Sequence, residues 1–333
     1  MTRPDGASVR ARLTTPHIEY STLEPHRELP RELLAGVVFG AAYARHQDPR
    51  CVRVGLEPLV GRGTVELWRA AGAVRMGFNG EVRYAADGSH LAGAIELDER
   101  DFGSLAAAAR AAYAALRRFQ GASAYPHLLR VWNYFDGINR GSGDEERYKQ
   151  FCLGRAAGLE VGSARALPAA TAIGRRDGST ILQVYWLAGR APGVPLENPR
   201  QLSAYRYPRQ YGPSPPSFSR AMLVGGRLLM ISGTASILGH ASRHPENLRA
   251  QIDETLANLA SVLQRAATVS PAIEPALGAG SLLKIYLRDA AAVHEVDALL
   301  RERLHPGVAY MILAADICRR ELLVEIDCLH GGG

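Results

Sequence analysis

The sequence has no long apolar run, and this absence excludes a class of protein. No stretch approaches the roughly 20 apolar residues that a membrane-spanning helix needs, although 47% of the 333 residues are hydrophobic. The N-terminus also lacks the basic-then-apolar layout of a secretory signal peptide. We therefore expect a cytoplasmic globular protein with no membrane partner and a large core, in two domains or one of double size.

Cysteine is also scarce. The chain has four cysteines, at spacings that match no zinc-binding or redox motif: Cys51, Cys152, Cys318 and Cys328. The ten histidines form no HExxH motif of the metalloprotease type. We expect neither a disulfide framework nor a bound metal.

The net charge of +6 suits either a nucleic acid or an acidic small molecule as the partner. The arginines are scattered along the chain, and no zinc-finger, helix-turn-helix, RNP or KH motif accompanies them. We therefore expect no nucleic-acid partner. A pocket for a small polyanion needs only a few of these arginines, aimed inward.

The chain repeats one order of secondary structure. The first copy predicts strands and helices over 81–97, 98–119, 127–135, 144–160, 170–176 and 179–187. The second copy predicts them over 221–236, 244–266, 281–289, 289–304, 309–315 and 321–327. The first segment of each copy holds two strands joined by a tight turn, so both copies read ββαβαββ. This order predicts an α+β fold of two units, each a mixed sheet backed by two helices.

A proline-rich segment, residues 191–220, separates the copies, and the domains predicted are therefore 1–190, this connector, and 221–333. The connector is too rich in Tyr and Arg for a flexible linker. We interpret five of its residues as placed against another part of the protein: Tyr205, Arg206, Tyr207, Arg209 and Tyr211.

The last predicted strand carries a carboxylate in its middle. Strand geometry puts Val324 and Ile326 on one face and Glu325 and Asp327 on the other. An exposed position is the ordinary outcome for a strand Glu, but the apolar neighbours favour burial. A carboxyl group in an apolar cleft has a raised pKa, which suits general-acid work near neutral pH.

Other polar residues have equally ordinary alternatives. Arg288 at a strand end and Arg155 on a helix are both of a type that usually faces solvent. Arg130 and Lys284 occupy equivalent positions in the two copies, and surface locations are the simplest interpretation of both. The glycine-rich stretch 135–148 matches no nucleotide-binding loop. The stretch 232–242, "SGTASILGHAS", joins a strand to a helix, and we expect it to line a pocket.

These segments resemble a known family. The stretches "MISGTASILGHASRHPENLRAQIDETLANLASVL", "KIYLRD" and "LLVEID" resemble the trimeric enamine/imine deaminase fold, whose final "VEIEA" strand carries an active-site Glu. The stretches "WNYFDGIN", "GDEERYKQFCLGRA" and "YRYPRQYGPSPPSFSRA" narrow the resemblance to the chorismatases. It covers roughly residues 125–327. The carboxylate-binding Arg of the simple deaminases is absent here, because Tyr310 stands at its position.

The resemblance implies two deaminase-like (chorismate-mutase-like) halves and cleavage of chorismate to release pyruvate, with Glu325 as the acid and no cofactor. It implies that the substrate is bound by Arg288, Arg155, Tyr205, Tyr148 and Arg206. Cys318 stands where the 3-hydroxybenzoate-forming members carry a cysteine, although a buried small side chain is its ordinary interpretation. Ala235 in "SGTAS" counts against this product, as the bulkier of the two small residues that the family uses there.

We therefore expect 3-hydroxybenzoate, with 4-hydroxybenzoate as a second product, from a monomer or homotrimer. Two alternatives remain open. One is a hydrolase that gives 3,4-dihydroxycyclohexa-1,5-diene carboxylate. The other is a deaminase-like or non-catalytic small-molecule-binding protein.

Overall fold

The computed structural model describes residues 15–22, 29–40, 47–61, 64–160 and 167–332. Its first part forms a sheet that the sequence pattern did not predict. This four-stranded sheet has the order β1-β5-β2-β3. Its strands are β1 (His17–Ser21), β2 (Leu33–Phe39), β3 (Cys51–Val54) and β5 (Val65–Arg69). The short strand β4 (Pro58–Val60) lies between β3 and β5 in the sequence but belongs to another sheet.

A six-stranded sheet follows, in the order β10-β9-β11-β8-β7-β6. Its strands are β6 (Arg75–Asn79), β7 (Val82–Ala86), β8 (His90–Asp98), β9 (His127–Asp136), β10 (Ala169–Arg175) and β11 (Ile181–Gly189). Two helices cover one face, α1 (Leu105–Ala122) and α2 (Arg147–Leu159). The Ser104 hydroxyl accepts a bond from the Ala107 amide and so starts α1.

The C-terminal half forms a seven-stranded sheet in the order β12-β13-β14-β19-β17-β18-β4. Its own strands are β12 (Val194–Leu196), β13 (Ala221–Val224), β14 (Leu228–Ala235), β17 (Ser281–Leu287), β18 (Ala309–Ala314) and β19 (Val324–Gly331). The hairpin β15 (Ile237–Leu238) and β16 (Ala241–Ser242) lies between β14 and α3. One face of the sheet packs on α3 (Leu248–Val269) and α4 (Val293–Arg303).

The two large sheets share one strand order, which confirms the repeated ββαβαββ pattern. Strands β10-β9-β11-β8-β7-β6 correspond one by one to β18-β17-β19-β14-β13-β12. The parallel pair falls at the same place, between β9 and β10 in one sheet and between β17 and β18 in the other. Positions in the two copies can therefore be compared directly, and Arg130 of β9 corresponds to Lys284 of β17.

All three sheets contribute to one central core. It joins the helix-free faces of both large sheets to the inner face of the four-stranded sheet. Aromatic rings fill its middle, where Trp132 stacks on Tyr185 with ring centroids 4.9 Å apart and Trp68 lies 5.5 Å from Trp132. None of the helices in the described ranges is long and apolar enough to cross a membrane. The four cysteines are all free thiols.

A buried group of charges crosses this core and corrects the interpretation of Arg130 and Lys284 as surface residues. Both side chains are fully buried. Lys284 Nζ donates to Glu66 Oε2 at 2.9 Å and lies 3.8 Å from Asp327 Oδ1. Arg130 Nη2 lies 3.3 Å from Asp327 Oδ2. Two cations and two carboxylates therefore compensate one another, which is how charge is tolerated in a protein interior.

We expect Glu66→Gln to lower the free energy of unfolding by about 3 kcal/mol, because breaking a buried ion pair leaves its partner uncompensated. The matched control is Glu19→Gln, which removes the exposed pair of Glu19 with Arg69 and should cost about 1 kcal/mol or less. Denaturant titration measures both values. Equal small losses would contradict the importance of the buried pair.

Candidate active site

A pocket of about 830 Å³, including its open mouth, lies where the two large sheets meet. Edge strand β10 of the six-stranded sheet contacts the C-terminal unit there. The amides of Gly174 and Asp316 each donate to the carbonyl of the other at 2.8 Å. The walls come from α2, β10, the connector, β14, the loop before β19, and β19 itself. The pocket therefore depends on both copies of the repeat.

Glu325 lies on the pocket wall with only 5% of its surface exposed. Val324 and Ile326 pack in the core beneath α3 and α4, so the strand alternation predicted from sequence is confirmed. Burial raises the pKa of Glu325 to about 8, and the nearby charge of Asp327 acts in the same direction. Arg130 and Arg220 oppose the shift without cancelling it. Glu325 therefore holds its proton at neutral pH.

One face of α2 forms a second wall. Tyr148, Cys152 and Arg155 lie at spacings of four and three residues, which places them on one stripe of the helix. The helix sits close to α1, because a Cβ atom at Gly154 would lie 2.1 Å from the Ala106 carbonyl oxygen. Cys152 was missed in the sequence, although its helical spacing from Tyr148 and Arg155 was the available signal. Burial raises the pKa of the Cys152 thiol to about 12, so the thiol is neutral.

Arg155 is 3% exposed, and its Nε and Nη2 atoms have no hydrogen-bond partner among the described residues. Its guanidinium lies 5.1 Å from the centre of the Tyr113 ring, which is buried beside it. A buried guanidinium with unused donors is costly unless an anion completes it. Arg155 therefore gives this wall the unused donors that a carboxylate or a similar anion would accept from.

The connector lines part of the pocket, but through other residues than Tyr205 and Arg206. Those two residues are absent from the pocket wall, and Arg206 is exposed beside the Tyr205 ring. Tyr207 and Tyr211 line the pocket instead. Two short 3-10 helices, Ala204–Arg206 and Arg209–Tyr211, set which side chains face inward. No sequence periodicity reveals that choice.

Two further arginines line the pocket and were missed in the sequence. Arg220 Nη2 donates to the Tyr207 hydroxyl at 2.7 Å, and its Nε has no partner in the described part of the chain. Arg319 lies over the Tyr211 ring at 4.0 Å, and its Nη2 is likewise without a partner there. Each guanidinium is therefore held in part by a tyrosine of the connector, while one of its nitrogen atoms has a donor left for a ligand.

Arg288 lies outside the pocket wall, and its guanidinium is fully engaged. It donates to Asp316 Oδ1 at 2.7 Å and to the carbonyls of Ile317, Arg319 and Leu322 at 2.8–3.1 Å. These bonds fix the loop that carries Cys318 and Arg319. The structure thus gives Arg288 a supporting position behind the pocket, where its charge still lowers the pKa of Glu325.

Comparison with known proteins identifies the family of the chain. The family model "Chorismatase FkbO/Hyg5-like, N-terminal" matches residues 66–188. A chorismatase of Streptomyces rapamycinicus is 36% identical over 79% of this chain and 80% of its own. A 3-hydroxybenzoate synthase of Streptomyces hygroscopicus is 35% identical over 79% of this chain and 80% of its own. The chain belongs to the chorismatase family.

Solved structures extend the comparison. A chorismatase crystal structure covers 96% of this chain and 99% of its own, with 31% identity and a TM-score of 0.84. A member of the YjgF/YER057c/UK114 family from Mycobacterium tuberculosis aligns with 34% of this chain and 86% of its own, with 22% identity and a TM-score of 0.25. Membership of the chorismatase family confirms the resemblance seen in the motifs.

In this chorismatase, Cys318 and Ala235 both lie in the wall beside Glu325. In the pairing of β14 with β19, Ala235 lies directly opposite Glu325. Burial raises the pKa of Cys318, and the neighbouring Glu325 raises it further, so this thiol is also neutral. Gly233 and Ile237 line the same wall, which confirms the pocket expected at 232–242.

Proposed function

We propose that this chain converts chorismate to 3-hydroxybenzoate and pyruvate, with Glu325 as the general acid. The observation that carries the proposal is a buried carboxyl with a pKa of about 8 in a pocket lined by Arg155, Arg220 and Arg319. The name of the Streptomyces hygroscopicus relative, a 3-hydroxybenzoate synthase, supports this product.

Chorismate suits the charge of the pocket because it is a dianion. Its two carboxylates call for cationic partners, and Arg is the side chain that holds a carboxylate bidentately. Arg155 approaches from α2, whereas Arg220 and Arg319 approach from the connector and the loop before β19. We infer that these two sides of the pocket receive the two carboxylates, with Tyr148, Tyr207 and Tyr211 enclosing the substrate.

The reaction needs one positioned proton. Glu325 donates its proton to the methylene carbon of the enolpyruvyl ether, and the ether carbon becomes an oxocarbenium-like centre. Capture of that centre by the neighbouring ring hydroxyl gives a cyclic ketal, and the ketal opens by breaking two bonds: the bond of that hydroxyl oxygen to the ring, and the bond between the ether carbon and the ether oxygen. Pyruvate leaves with the hydroxyl oxygen, the former ether oxygen keeps its place on the ring and takes the hydroxyl proton, and loss of a ring proton gives 3-hydroxybenzoate. The two products contain all the atoms of chorismate, so no water is consumed. The proton leaving the ring returns to the Glu325 carboxylate.

The oxocarbenium-like centre can lead to two other products. Capture by water gives the dihydroxycyclohexadiene carboxylate and consumes one water molecule, while the alternative aromatisation gives 4-hydroxybenzoate. We propose that Cys318 favours the aromatic product through the shape of the wall beside Glu325. A neutral thiol is compact and weakly polar, so it fills space there that a water molecule would use.

The deaminase-like alternative is less well supported. Tyr310, at the position of the deaminase arginine, donates to Asp297 of α4 at 2.5 Å, so it is engaged away from the pocket. We infer that the chain is a duplicated deaminase-like fold with units near 1–190 and 221–333, joined by the connector 191–220. The four-stranded sheet is then an addition to the duplicated pattern.

We expect Glu325→Gln to lower kcat by about 10²–10⁴, the usual loss when a general acid is removed, with KM little changed. In the wild type, kcat should be highest while Glu325 is protonated and fall about tenfold per pH unit above pH 8. Pyruvate release from chorismate measures both effects. A Glu325→Gln variant with near-wild-type rates would contradict the assigned role.

We expect Arg155→Met to raise KM about 10- to 100-fold, because a charge-assisted hydrogen bond contributes about 1.5–3 kcal/mol. Its thermal unfolding midpoint should change little, since the change removes a buried charge that contacts the Tyr113 ring but whose Nε and Nη2 atoms have no hydrogen-bond partner among the described residues. Arg206→Met is the matched control and should leave KM within about twofold, because Arg206 is exposed. Equal KM increases in both variants would argue against the anion site.

We expect Cys318→Ala to shift the product mixture toward the non-aromatic diol, because the smaller side chain leaves room for water beside Glu325. Chromatography of the complete reaction gives the ratio of the three products. An unchanged ratio would remove Cys318 from the explanation of product choice. A non-aromatic diol as the main wild-type product would overturn the proposed 3-hydroxybenzoate outcome itself.

A further inference from the structure

Strand β14 is irregular where it passes the active-site strand. Ile231 pairs with Cys328 and Thr234 with Ile326, so Ser232 and Gly233 together lie opposite the single residue Asp327. Such a β-bulge removes an amide from the regular ladder and re-aims the chain locally. The irregularity falls two residues from Ala235, which is the partner of Glu325.

The bulge is tied to the other copy of the repeat. The Gly233 amide donates to Thr171 Oγ1 of β10 at 2.9 Å. The Ser232 hydroxyl accepts from the Ala170 amide at 2.8 Å and donates to the Ser219 carbonyl at 2.6 Å. Both residues of the bulge are therefore fixed by neighbours outside the seven-stranded sheet.

Thr171 connects this point to the buried charges. Its hydroxyl oxygen accepts from Arg130 Nη2 at 2.5 Å as well as from Gly233, and its proton is directed to Asp327 Oδ2 at 3.3 Å. A hydroxyl has one donor and two acceptor positions, so all three are used. Thr171 is 2% exposed, and its orientation is fixed from three sides.

Gly233 faces the Glu325 carboxyl directly. A Cβ atom at position 233 would lie 1.9 Å from Glu325 Oε1 and 2.9 Å from its Cδ, whereas the Thr171 methyl would be 3.3 Å away. The backbone of Gly233 is outside the left-handed region, so other residues can adopt its conformation. Space for the carboxyl, and not backbone strain, is what requires glycine here.

We propose that Gly233 and Thr171 are positioning residues for Glu325. Gly233 leaves the space that the Glu325 carboxyl occupies, which we call the seat. The Thr171 hydroxyl holds the bulge at the distance from Glu325 that keeps this space open. The role of this seat in catalysis rests on the proposed function. The existence of the seat does not, because it concerns only how residues 171, 233 and 325 fit together.

A double-substitution cycle in unfolding tests the seat without any assay of activity. Gly233→Ala should lower the thermal unfolding midpoint by about two degrees in the wild-type background, because its methyl group forces the Glu325 carboxyl, the end of a flexible side chain, out of its place. In a Glu325→Ala background the same change should lower it by less than about one degree, since the obstacle is gone. An equal decrease in both backgrounds would overturn the proposal.

Kinetics then test what the seat does. Gly233→Ala should lower kcat about 10- to 100-fold with KM within about threefold, because a misplacement of about 1 Å costs up to about 10² in rate. Gly278→Ala is the control: a Cβ atom there meets nothing within 4 Å, and kcat should not change. Wild-type kcat in a folded Gly233→Ala variant would overturn the positioning role. A wild-type protein that does not act on chorismate would overturn the proposed function instead. The unfolding measurements would then still show whether Gly233 leaves the space for the Glu325 carboxyl.

The Thr171 hydroxyl is tested by a pair of substitutions. Thr171→Val keeps the shape and removes the hydroxyl, so kcat should fall about tenfold or more, again with little change in KM. Thr171→Ser keeps the hydroxyl and should restore kcat to within about threefold of the wild type. If Val and Ser gave the same kcat, the hydroxyl would have no positioning role.

Discussion

The structure depends most on the hydrogen bonds and ion pairs of one buried carboxylate, that of Asp327. Its Oδ2 atom accepts hydrogen bonds from Trp132 Nε1 at 3.0 Å and from the Tyr286 hydroxyl at 2.9 Å, beside Arg130. Lys284 lies next to the same carboxylate and reaches Glu66 of β5. Burial alone lowers the pKa of Lys284, but Asp327 and Glu66 raise it overall. All three sheets are therefore joined through charges that require one another, and a shift of any sheet would leave a buried charge uncompensated.

Two carboxylates of one strand have different environments as a result. Asp327 is surrounded by donors and cations, whereas Glu325, two residues earlier on the same face, lies against the apolar part of the pocket and next to the charge of Asp327. Burial in the pocket wall and the charge of Asp327 raise the pKa of Glu325, which suits this group to the proton-donating role proposed for it. The packing that joins the sheets thus also sets the environment of the proposed acid.

Much of this arrangement was predictable from the sequence, and the failures have physical reasons. The repeat was visible because strand alternation, tight turns and helical periodicity recur in one order, and Glu325 stood out as a carboxylate in an apolar strand. The four-stranded sheet was not visible, because its strands are short and depend on pairing across the chain, as β1 does with β5. The burial of Lys284 could not be predicted either, since its partner Glu66 lies 218 residues away in sequence. The positions of Tyr207 and Arg288 depend on loop geometry that has no period.

The correspondence between the two copies has one more consequence. Arg130 and Lys284 are equivalent, and the residues that pair with Trp132 and Tyr286 on the next strand are Tyr185 and Glu325. The position that carries the acid in the second copy therefore holds an aromatic ring in the first, stacked on Trp132. The same place in the fold stabilises the interior in one copy and, in the proposed mechanism, provides a proton in the other. A substitution there should reduce mainly folding in the first copy and mainly chemistry in the second.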